Sequence, residues 1–511
     1  MSQHLFSVGP ARAGGCCISG LSRRGFLGAG AAAGGFALSG LTWPLASAAE
    51  GEFLAAPART PLVVKPVFTY TLHAPRPQTS WRPWGGVQTQ AAVNEEIPRI
   101  EGELKKLAAE ADFPVRMLPL SAVRNAGEVA QIADAKEADA FLVYASDGGD
   151  ALEGIRVLGK PVVFFIRYRS GPVYLWYEII SPRYLRNHSD FPAREGLAYD
   201  DVVVDDLNGV MWRLRALAGL KNTVGARIVA LGGAGGWACP EAPARSKDRL
   251  NLDIVNVSYD ELGKLLRAAR EDRETVALSK KLAAEYLAEE GTTLETDRGF
   301  VERAFILTRV LRDIAAHAGA RMLTIHHCMG TIMPISETTA CLPLSLLNDA
   351  GYLAFCESDF VVVPAGILLA NIAGKPPFLN DPCYPHDHEI TLAHCTAPRR
   401  NDGKNLDPAR IMTHFESDYG AAPKVEMPLG RIVTNIIPDF LMERWTGLRG
   451  EIIEAGFRPI CRSQIDIRFK PDALLVCENM PGFHWMTIQG DYLNEIGYAL
   501  RRTKIKWNNL G

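Results

Sequence analysis

The chain has 511 residues, of which 55 are Lys or Arg and 58 are Asp or Glu, so its formal net charge is −3. A charge this close to balance, without a long basic run, argues against nucleic acid or anionic lipid as the main partner. Hydrophobic residues make up 47% of the chain, which at this length predicts two or three domains with large cores.

The first 48 residues predict an export signal. Arg23 and Arg24 precede Phe26 and a glycine- and alanine-rich apolar run, and Ala46-Ser47-Ala48 is a small-x-small cleavage site. These are the parts of a secretory signal peptide, and the paired arginines are typical of the twin-arginine variant. The alternatives are a membrane anchor or a disordered leader, but the apolar run is shorter than the roughly 20 residues that a spanning helix needs. We expect cleavage after Ala48, export by the twin-arginine machinery, and a periplasmic or secreted protein without stable membrane insertion.

The remaining cysteines predict free thiols rather than a disulfide scaffold. After residue 48 they are widely spaced, with no CxxC pair, and several lie in apolar, strand-like runs. In such runs a cysteine usually packs as a small hydrophobic side chain.

Beyond a linker at 49–62, strand-like and helical segments alternate, which predicts βαβ units and mostly parallel sheets. The predicted strands of the first two thirds are 62–72, 115–120, 139–145, 161–168, 227–233 and 321–327, and the predicted helices are 95–111, 126–138, 203–220, 259–290 and 300–318. After about residue 385, strand-like pieces are separated by turn-rich segments. The sequence thus predicts two Rossmann-like α/β domains, at 63–222 and 223–384, followed by a β-rich C-terminal domain at 385–511.

The segment from Gly351 to Asp381 carries the most information about chemistry. A short apolar strand ends at Glu357, a helix follows at 363–373, and a second strand ends at Asp381. We expect one βαβ crossover that brings both carboxylates to the carboxyl edge of a parallel sheet, where ligands bind; on neighbouring strands they would be about 4.8 Å apart. Two carboxylates that converge there need a cation or a shared proton. The alternative is that both acids cap helices or bind loop amides.

Two motifs at these positions resemble L-fucose isomerase. The sequence CESD, followed 24 residues after its Glu by the Asp of FLND, resembles the metal-binding stretch of that enzyme. The loop from Asn479 to His484, with Gly490 six residues later, is similar to the loop that carries its third ligand. CLPLSLLNDAGYLAFCESD and LAHCTAP also resemble segments of the L-fucose and L-arabinose isomerase superfamily, and the similarity is clearest over roughly 320–495.

The resemblance implies an aldose–ketose isomerase with an L-fucose isomerase-like fold. It implies that Glu357, Asp381 and His484 bind Mn²⁺ or another divalent cation, and that the two carboxylates are also the catalytic acid and base. Such a cation would hold two oxygens of a small-molecule sugar while a proton moves between C1 and C2 through an enediol. Which carboxylate takes which proton stays open. Family members are commonly trimers or hexamers, so a homo-oligomer is also implied.

Other side chains are weaker candidates for substrate binding. His394 is either a neighbour of the substrate or metal, or an ordinary buried strand histidine. His326 and His327 end a predicted strand, and because adjacent strand side chains point to opposite faces, at most one enters the site; we favour His327. Asn479 is a further candidate, because it begins the loop that carries His484.

Two other motifs have plainer interpretations. The acidic and imidazole side chains at 386–388 predict a solvated loop rather than a second metal site. The glycine-rich run 232–236 follows a strand as a phosphate-binding loop does, but it matches neither common phosphate motif, so a plain βα turn is favoured.

The main rival function is an exported carbohydrate-binding or sensor protein that keeps an isomerase-like scaffold without turnover. A cleft between two α/β lobes would serve such a binder, and a fold does not fix a function. A third possibility keeps the metal but changes the reaction to epimerisation or a retro-aldol step. A binder has no need for Glu357, Asp381 and His484 to converge.

Overall fold

The computed structural model describes residues 56–186 and 196–511. The expected signal peptide at 1–48 and most of the linker at 49–62 lie outside the described residues. None of the helices in these two ranges combines the length and the apolar character that spanning a bilayer requires. Every cysteine after residue 48 is a free thiol.

The described chain contains strands and helices throughout. The strands are β1 (Leu62–Thr69), β2 (Val115–Met117), β3 (Ser121–Val123), β4 (Ala140–Ala145), β5 (Val162–Ile166), β6 (Val202–Val204), β7 (Arg227–Leu231), β8 (Asp253–Val257), β9 (Thr292–Glu295), β10 (Met322–Ile325), β11 (Leu353–Phe355), β12 (Phe378–Pro382), β13 (Glu389–His394), β14 (Ala409–His414), β15 (Tyr419–Val425), β16 (Ile432–Pro438), β17 (Arg444–Glu454), β18 (Ser463–Phe469), β19 (Trp485–Gln489) and β20 (Lys506–Asn509). The α-helices are α1 (Gln90–Glu110), α2 (Ala126–Ala130), α3 (Gly149–Arg156), α4 (Ile180–Leu185), α5 (Leu207–Lys221), α6 (Ala242–Leu250), α7 (Tyr259–Glu271), α8 (Arg273–Ala288), α9 (Arg298–His317), α10 (Met333–Ser336), α11 (Cys341–Asp349), α12 (Val363–Ala373), α13 (Ala473–Glu478) and α14 (Leu493–Leu500).

Two parallel sheets occupy the first two thirds of the described chain, as the alternating pattern predicts. The first sheet has the order β2-β1-β4-β5-β6, with β3 also paired to β1. Its central strand β4 is buried at every residue, as expected for a parallel strand covered on both faces. The second sheet has the order β11-β10-β7-β8.

The C-terminal third is rich in antiparallel strands, which confirms the coarse prediction for this region. Its large sheet has the order β16-β19-β12-β13-β18-β17-β20, and an additional pairing between β16 and β17 closes six of these strands into a barrel. A separate three-stranded sheet has the order β15-β14-β9.

The predicted βαβ crossover between Glu357 and Asp381 is wrong. β11 belongs to the second parallel sheet, whereas β12 pairs antiparallel with β13 and β19 in the barrel. The connecting helix α12 is buried along its whole length, because it is apolar on all sides and lies between two layers. A side chain at Gly366 would meet both Phe355 of the parallel sheet and Met486 of the barrel. Asp381 therefore lies on a barrel strand, before the domain boundary predicted at residue 384.

Candidate metal centre

The three predicted ligands lie together, with both carboxylates beside the imidazole of His484. His484 Nε2 lies 3.2 Å from Glu357 Oε2 and 3.2 Å from Asp381 Oδ1. His484 is 1% exposed, and it immediately precedes the barrel strand β19. The parallel sheet and the barrel thus each supply a carboxylate to the same histidine, although the predicted crossover does not exist.

The turn that carries Glu357 is strained and firmly held. Glu357 and Ser358 both have left-handed backbones, with φ of 65° and 48°, a conformation that costs a non-glycine residue of order 1–3 kcal/mol. The Ser358 hydroxyl donates to Gly233 O at 2.9 Å. Gly235 N–H donates to Ser358 O, and Phe360 N–H donates to Gly235 O. The glycine-rich loop therefore fixes the backbone on both sides of Asp359.

These contacts favour the βα-turn interpretation of the glycine-rich loop. Its amide groups are used within the protein: Gly232 N–H donates to Val257 O, Ala234 N–H to the Asn256 side chain, and Gly235 N–H to Ser358 O. These amides are therefore engaged already, whereas a phosphate-binding loop needs free N–H groups directed at the ligand.

Asp359 is a site residue that sequence reasoning missed. Its Oδ2 lies 2.7 Å from His484 Nδ1, and its Oδ1 accepts the Val361 N–H. Metal-binding histidines usually donate their second ring N–H to a carboxylate, which fixes the tautomer and the ring orientation. The available signal was its position two residues after Glu357 in the CESD motif.

Opposite charges meet at the centre of the site. Burial opposes ionisation of Glu357, but the positive charge of His484 and the nearby His394 imidazole hold the pKa of this carboxyl well below its usual range. Burial also opposes protonation of His484, yet the charge of Glu357, the hydrogen bond to Asp359 and the nearby Asp381 carboxylate raise the imidazole pKa well above its usual value. A positive charge on His484 therefore stabilises the two carboxylates beside each other.

The residues fit a divalent cation. His484 Nε2 is buried and makes no hydrogen bond to any described residue, although two carboxylate oxygens lie 3.2 Å away. Adjacent ligands of a six-coordinate cation at about 2.1 Å are roughly 3 Å from each other. Two carboxylates and one imidazole suit Mn²⁺ and related hard or borderline cations.

His394 lies on the other side of Glu357. It is 4% exposed, its Nε2 is 3.8 Å from Glu357 Oε1, and its Nδ1 is 2.9 Å from the Thr396 hydroxyl. Burial would lower the imidazole pKa, but the nearby Glu357 carboxylate and the charge of Asp381 raise it. His394 is therefore a neighbour of the centre, which matches one of the two interpretations left open.

Cys356 forms an overlapping donor group with Glu357 and His394. One ligand atom from each of these residues lies within 4.8 Å of the other two. However, a hydrogen bond with the Cys328 thiol and burial raise the pKa of the Cys356 thiol well above its usual value. Metals bind the thiolate rather than the thiol, so the oxygen-rich group around His484 is the better cation site.

The two remaining substrate-binding candidates are less well supported. His327 is exposed, has a left-handed backbone, and stacks on His326 with 3.8 Å between ring centroids. Burial lowers the pKa of His326. Its Nε2 lies 3.3 Å from the Cβ position of Gly235, whose N–H donates to Ser358 O beside Glu357, so the geometry favours His326 over His327. Asn479 ends α13, where its amide group donates to Leu475 O and its side-chain oxygen accepts from Asn508.

The segment 386–388 matches the prediction of a solvated loop. The side chains of His386 and Asp387 are 68% and 92% exposed, and they contact each other at 3.1 Å.

No model of a known protein family matches the chain, and a search of curated proteins finds none with significant similarity. The resemblance to L-fucose isomerase therefore stays a prediction, and the side chains of the site carry the functional argument.

Proposed function

We propose that the protein is a divalent-metal-dependent aldose–ketose isomerase with an L-fucose isomerase-like fold, in which the two parallel sheets are Rossmann-like domains. The observation that carries this proposal is the convergence of Glu357 and Asp381 on His484 Nε2, at 3.2 Å each. The buried Asp359 behind His484 supports it further, because an outer carboxylate of this kind is characteristic of metal-binding histidines.

Each side chain of the site has its own proposed role in the reaction. Glu357, Asp381 and His484 would hold the cation, and Mn²⁺ bound there would act as a Lewis acid toward two substrate oxygens. One carboxylate takes the carbon-bound proton and returns it to the neighbouring carbon, while the other carries the proton between the two oxygens. His394, buried beside Glu357 Oε1, would hydrogen-bond a substrate hydroxyl.

The rival, a carbohydrate-binding protein without turnover, is less consistent with this arrangement. Binding a neutral sugar requires hydrogen-bonding groups and aromatic surface, but not several carboxylates gathered around one buried imidazole. Two carboxylates gathered in a buried site need positive charge beside them, and a bound cation supplies that charge when the imidazole is neutral. The expected export, periplasmic location and trimeric or hexameric assembly remain predictions.

The test is isomerisation by the purified mature protein. The protein is stripped with a chelator, reloaded with Mn²⁺, and incubated in D₂O with a panel of pentoses, hexoses and deoxysugars. We expect aldose–ketose exchange of at least one sugar by NMR, with solvent deuterium entering the carbon next to the carbonyl. Glu357→Gln, which keeps the shape but loses one of the two catalytic carboxylates and a charged metal ligand, is expected to abolish both signals.

Two results would overturn the proposal. A wild-type protein that binds Mn²⁺ but exchanges no sugar of the panel would exclude aldose–ketose isomerisation of these substrates. An aldose product inverted at C2, without ketose, would change the reaction to epimerisation.

A further inference from the structure

A tryptophan on the glycine-rich loop donates a hydrogen bond into the candidate metal centre. Trp237 Nε1–H donates to Glu357 Oε2 at 2.8 Å, and this is the same oxygen that faces His484 Nε2. The indole stacks on Phe483, with 4.1 Å between ring centroids and 13° between planes. Its ring is also edge-on to the His484 imidazole, with 5.8 Å between centroids.

The backbone conformation of the loop places the Trp237 side chain next to Glu357. Trp237 has a φ of 49°, in the left-handed region that bulky residues rarely adopt. A Cβ at Gly236 would lie 2.0 Å from Cys239 O, so only glycine allows the tight turn that follows. Because Gly235 is hydrogen-bonded to Ser358 and Phe360, the loop and the Glu357 turn are held in a fixed relation. Backbone strain of this kind tends to occur at functional sites.

The chemistry of the indole suits an outer partner of a ligand. Its N–H is a donor only, and it does not titrate near neutral pH. A carboxylate oxygen has two lone pairs, so Glu357 Oε2 can accept from Trp237 and still bind a cation. Two of the three ligands would then each be held by a second residue, His484 by Asp359 and Glu357 by Trp237. Loss of such outer partners typically weakens metal binding about 10–100-fold.

We propose that Trp237 is a positioning residue, whose indole N–H orients the Glu357 carboxylate for binding of the divalent cation. The inference rests on the proposed metal site but not on the sugar reaction. It assigns the glycine-rich loop a function in metal binding.

The test compares Mn²⁺ affinity in wild type and in Trp237→Phe, which keeps an aromatic ring against Phe483 and removes the N–H. Metal-free proteins are titrated with Mn²⁺, and the free ion is measured by electron paramagnetic resonance. We expect the Kd of Trp237→Phe to be about 10-fold higher, with the metal-free thermal unfolding temperature nearly unchanged. Trp84→Phe, at a tryptophan that is 68% exposed, is the matched control and is expected to keep the wild-type Kd.

A second variant separates the hydrogen bond from the stacking. Phe483→Leu removes the ring under the indole and its edge-on contact with His484 but leaves the N–H, so we expect its Kd to rise clearly less than that of Trp237→Phe. The inference is overturned if Trp237→Phe binds Mn²⁺ as wild type does, or if Phe483→Leu weakens binding equally. If wild type itself binds no Mn²⁺, the proposed metal site is wrong. If wild type binds Mn²⁺ but converts no sugar, only the proposed reaction fails.

Discussion

Asp359 Oδ2 lies 2.7 Å from His484 Nδ1, and each of these two residues is 1% exposed. The contact joins the turn after β11 of the parallel sheet to the segment before β19 of the barrel. It directs the opposite ring nitrogen, Nε2, toward Glu357 and Asp381. Asp359 thus sets the orientation of the imidazole without contacting the proposed cation.

Asp359→Asn is expected to weaken Mn²⁺ binding about 10-fold while all three ligands remain. The neutral amide no longer increases the basicity of the imidazole, and either end of it can face Nδ1–H. Mn²⁺ titration of the metal-free protein measures the effect. Asp387→Asn, at a side chain that is 92% exposed, should leave the affinity unchanged. Equal affinities for Asp359→Asn and wild type would mean that the contact is only structural.

Removal of a proposed ligand is expected to abolish stabilisation by metal. A ligand at 100 times its Kd stabilises the folded state by about 2.7 kcal/mol, so Mn²⁺ should raise the unfolding temperature of the wild-type protein. Glu357→Gln, Asp381→Asn and His484→Asn should each lose most of this increase. His386→Asn, at a side chain that is 68% exposed, should keep it. A ligand variant that keeps the full increase would show that the cation binds elsewhere.

The sequence predicted which three side chains lie together, but not the route by which the fold brings them there. Residue types and spacing singled out Glu357 and Asp381, because paired carboxylates after short strands suit a cation, and the resemblance to L-fucose isomerase added His484. The crossover prediction failed because a strand–helix–strand pattern does not reveal which sheet the second strand joins. α12 is apolar on every side. A helix of this kind can precede a strand of the same parallel sheet or a strand of a different sheet, so its sequence does not distinguish the two arrangements.

The errors in the choice of site residues have local physical causes. Strand alternation was used to choose between His326 and His327, but the strand ends at Ile325 and His327 adopts a left-handed backbone, so the alternation no longer applies. Trp237 was missed because the glycine-rich run before it indicates only a phosphate-binding loop or a plain βα turn. Its contact with Glu357 depends on a close approach of two loops 120 residues apart, which no local pattern reveals.

Asp349 is expected to make the protein less stable as pH rises. Its Oδ1 accepts the backbone N–H groups of Arg399 and Arg400 at 2.8 Å each, but its Oδ2 is buried without a hydrogen bond to any described residue. Burial raises the pKa of this carboxyl to about 7. Because the folded state holds the proton more tightly, the stabilisation is complete below about pH 4 and is lost as pH rises through 7.

Asp349→Asn should remove this pH dependence. Relative to wild type, the variant should gain roughly 4 kcal/mol in the free energy of unfolding between pH 4 and 8, measured by urea denaturation at each pH. Asp402 is the opposite control, because hydrogen bonds from Lys404 and Asn405 outweigh its burial and lower its pKa. Ionised Asp402 stabilises the folded state at pH values above the pKa that it has in the unfolded chain, and this stabilisation is lost as pH falls. An identical pH profile for wild type and Asp349→Asn would contradict the prediction.

The close contact between α5 and α12 gives a prediction about the helix that connects the two carboxylates. A Cβ at Gly219 would lie 2.3 Å from Ile372 Cγ1 and 2.9 Å from the Ile372 backbone, so Gly219→Ala must separate the helices. We expect a loss of about 1–3 kcal/mol in the free energy of unfolding. Gly102, in the exposed face of α1, has nothing within 4 Å of its Cβ position, so Gly102→Ala should gain about 0.5–1 kcal/mol in the free energy of unfolding from helix propensity.

Because α12 is packed against both β11 and the barrel, the shift in Gly219→Ala should also change the separation of Glu357 and Asp381. Its Mn²⁺ Kd should therefore rise, while that of Gly102→Ala should not. Unaltered stability and metal affinity in Gly219→Ala would show that α12 does not hold the two halves of the site in register.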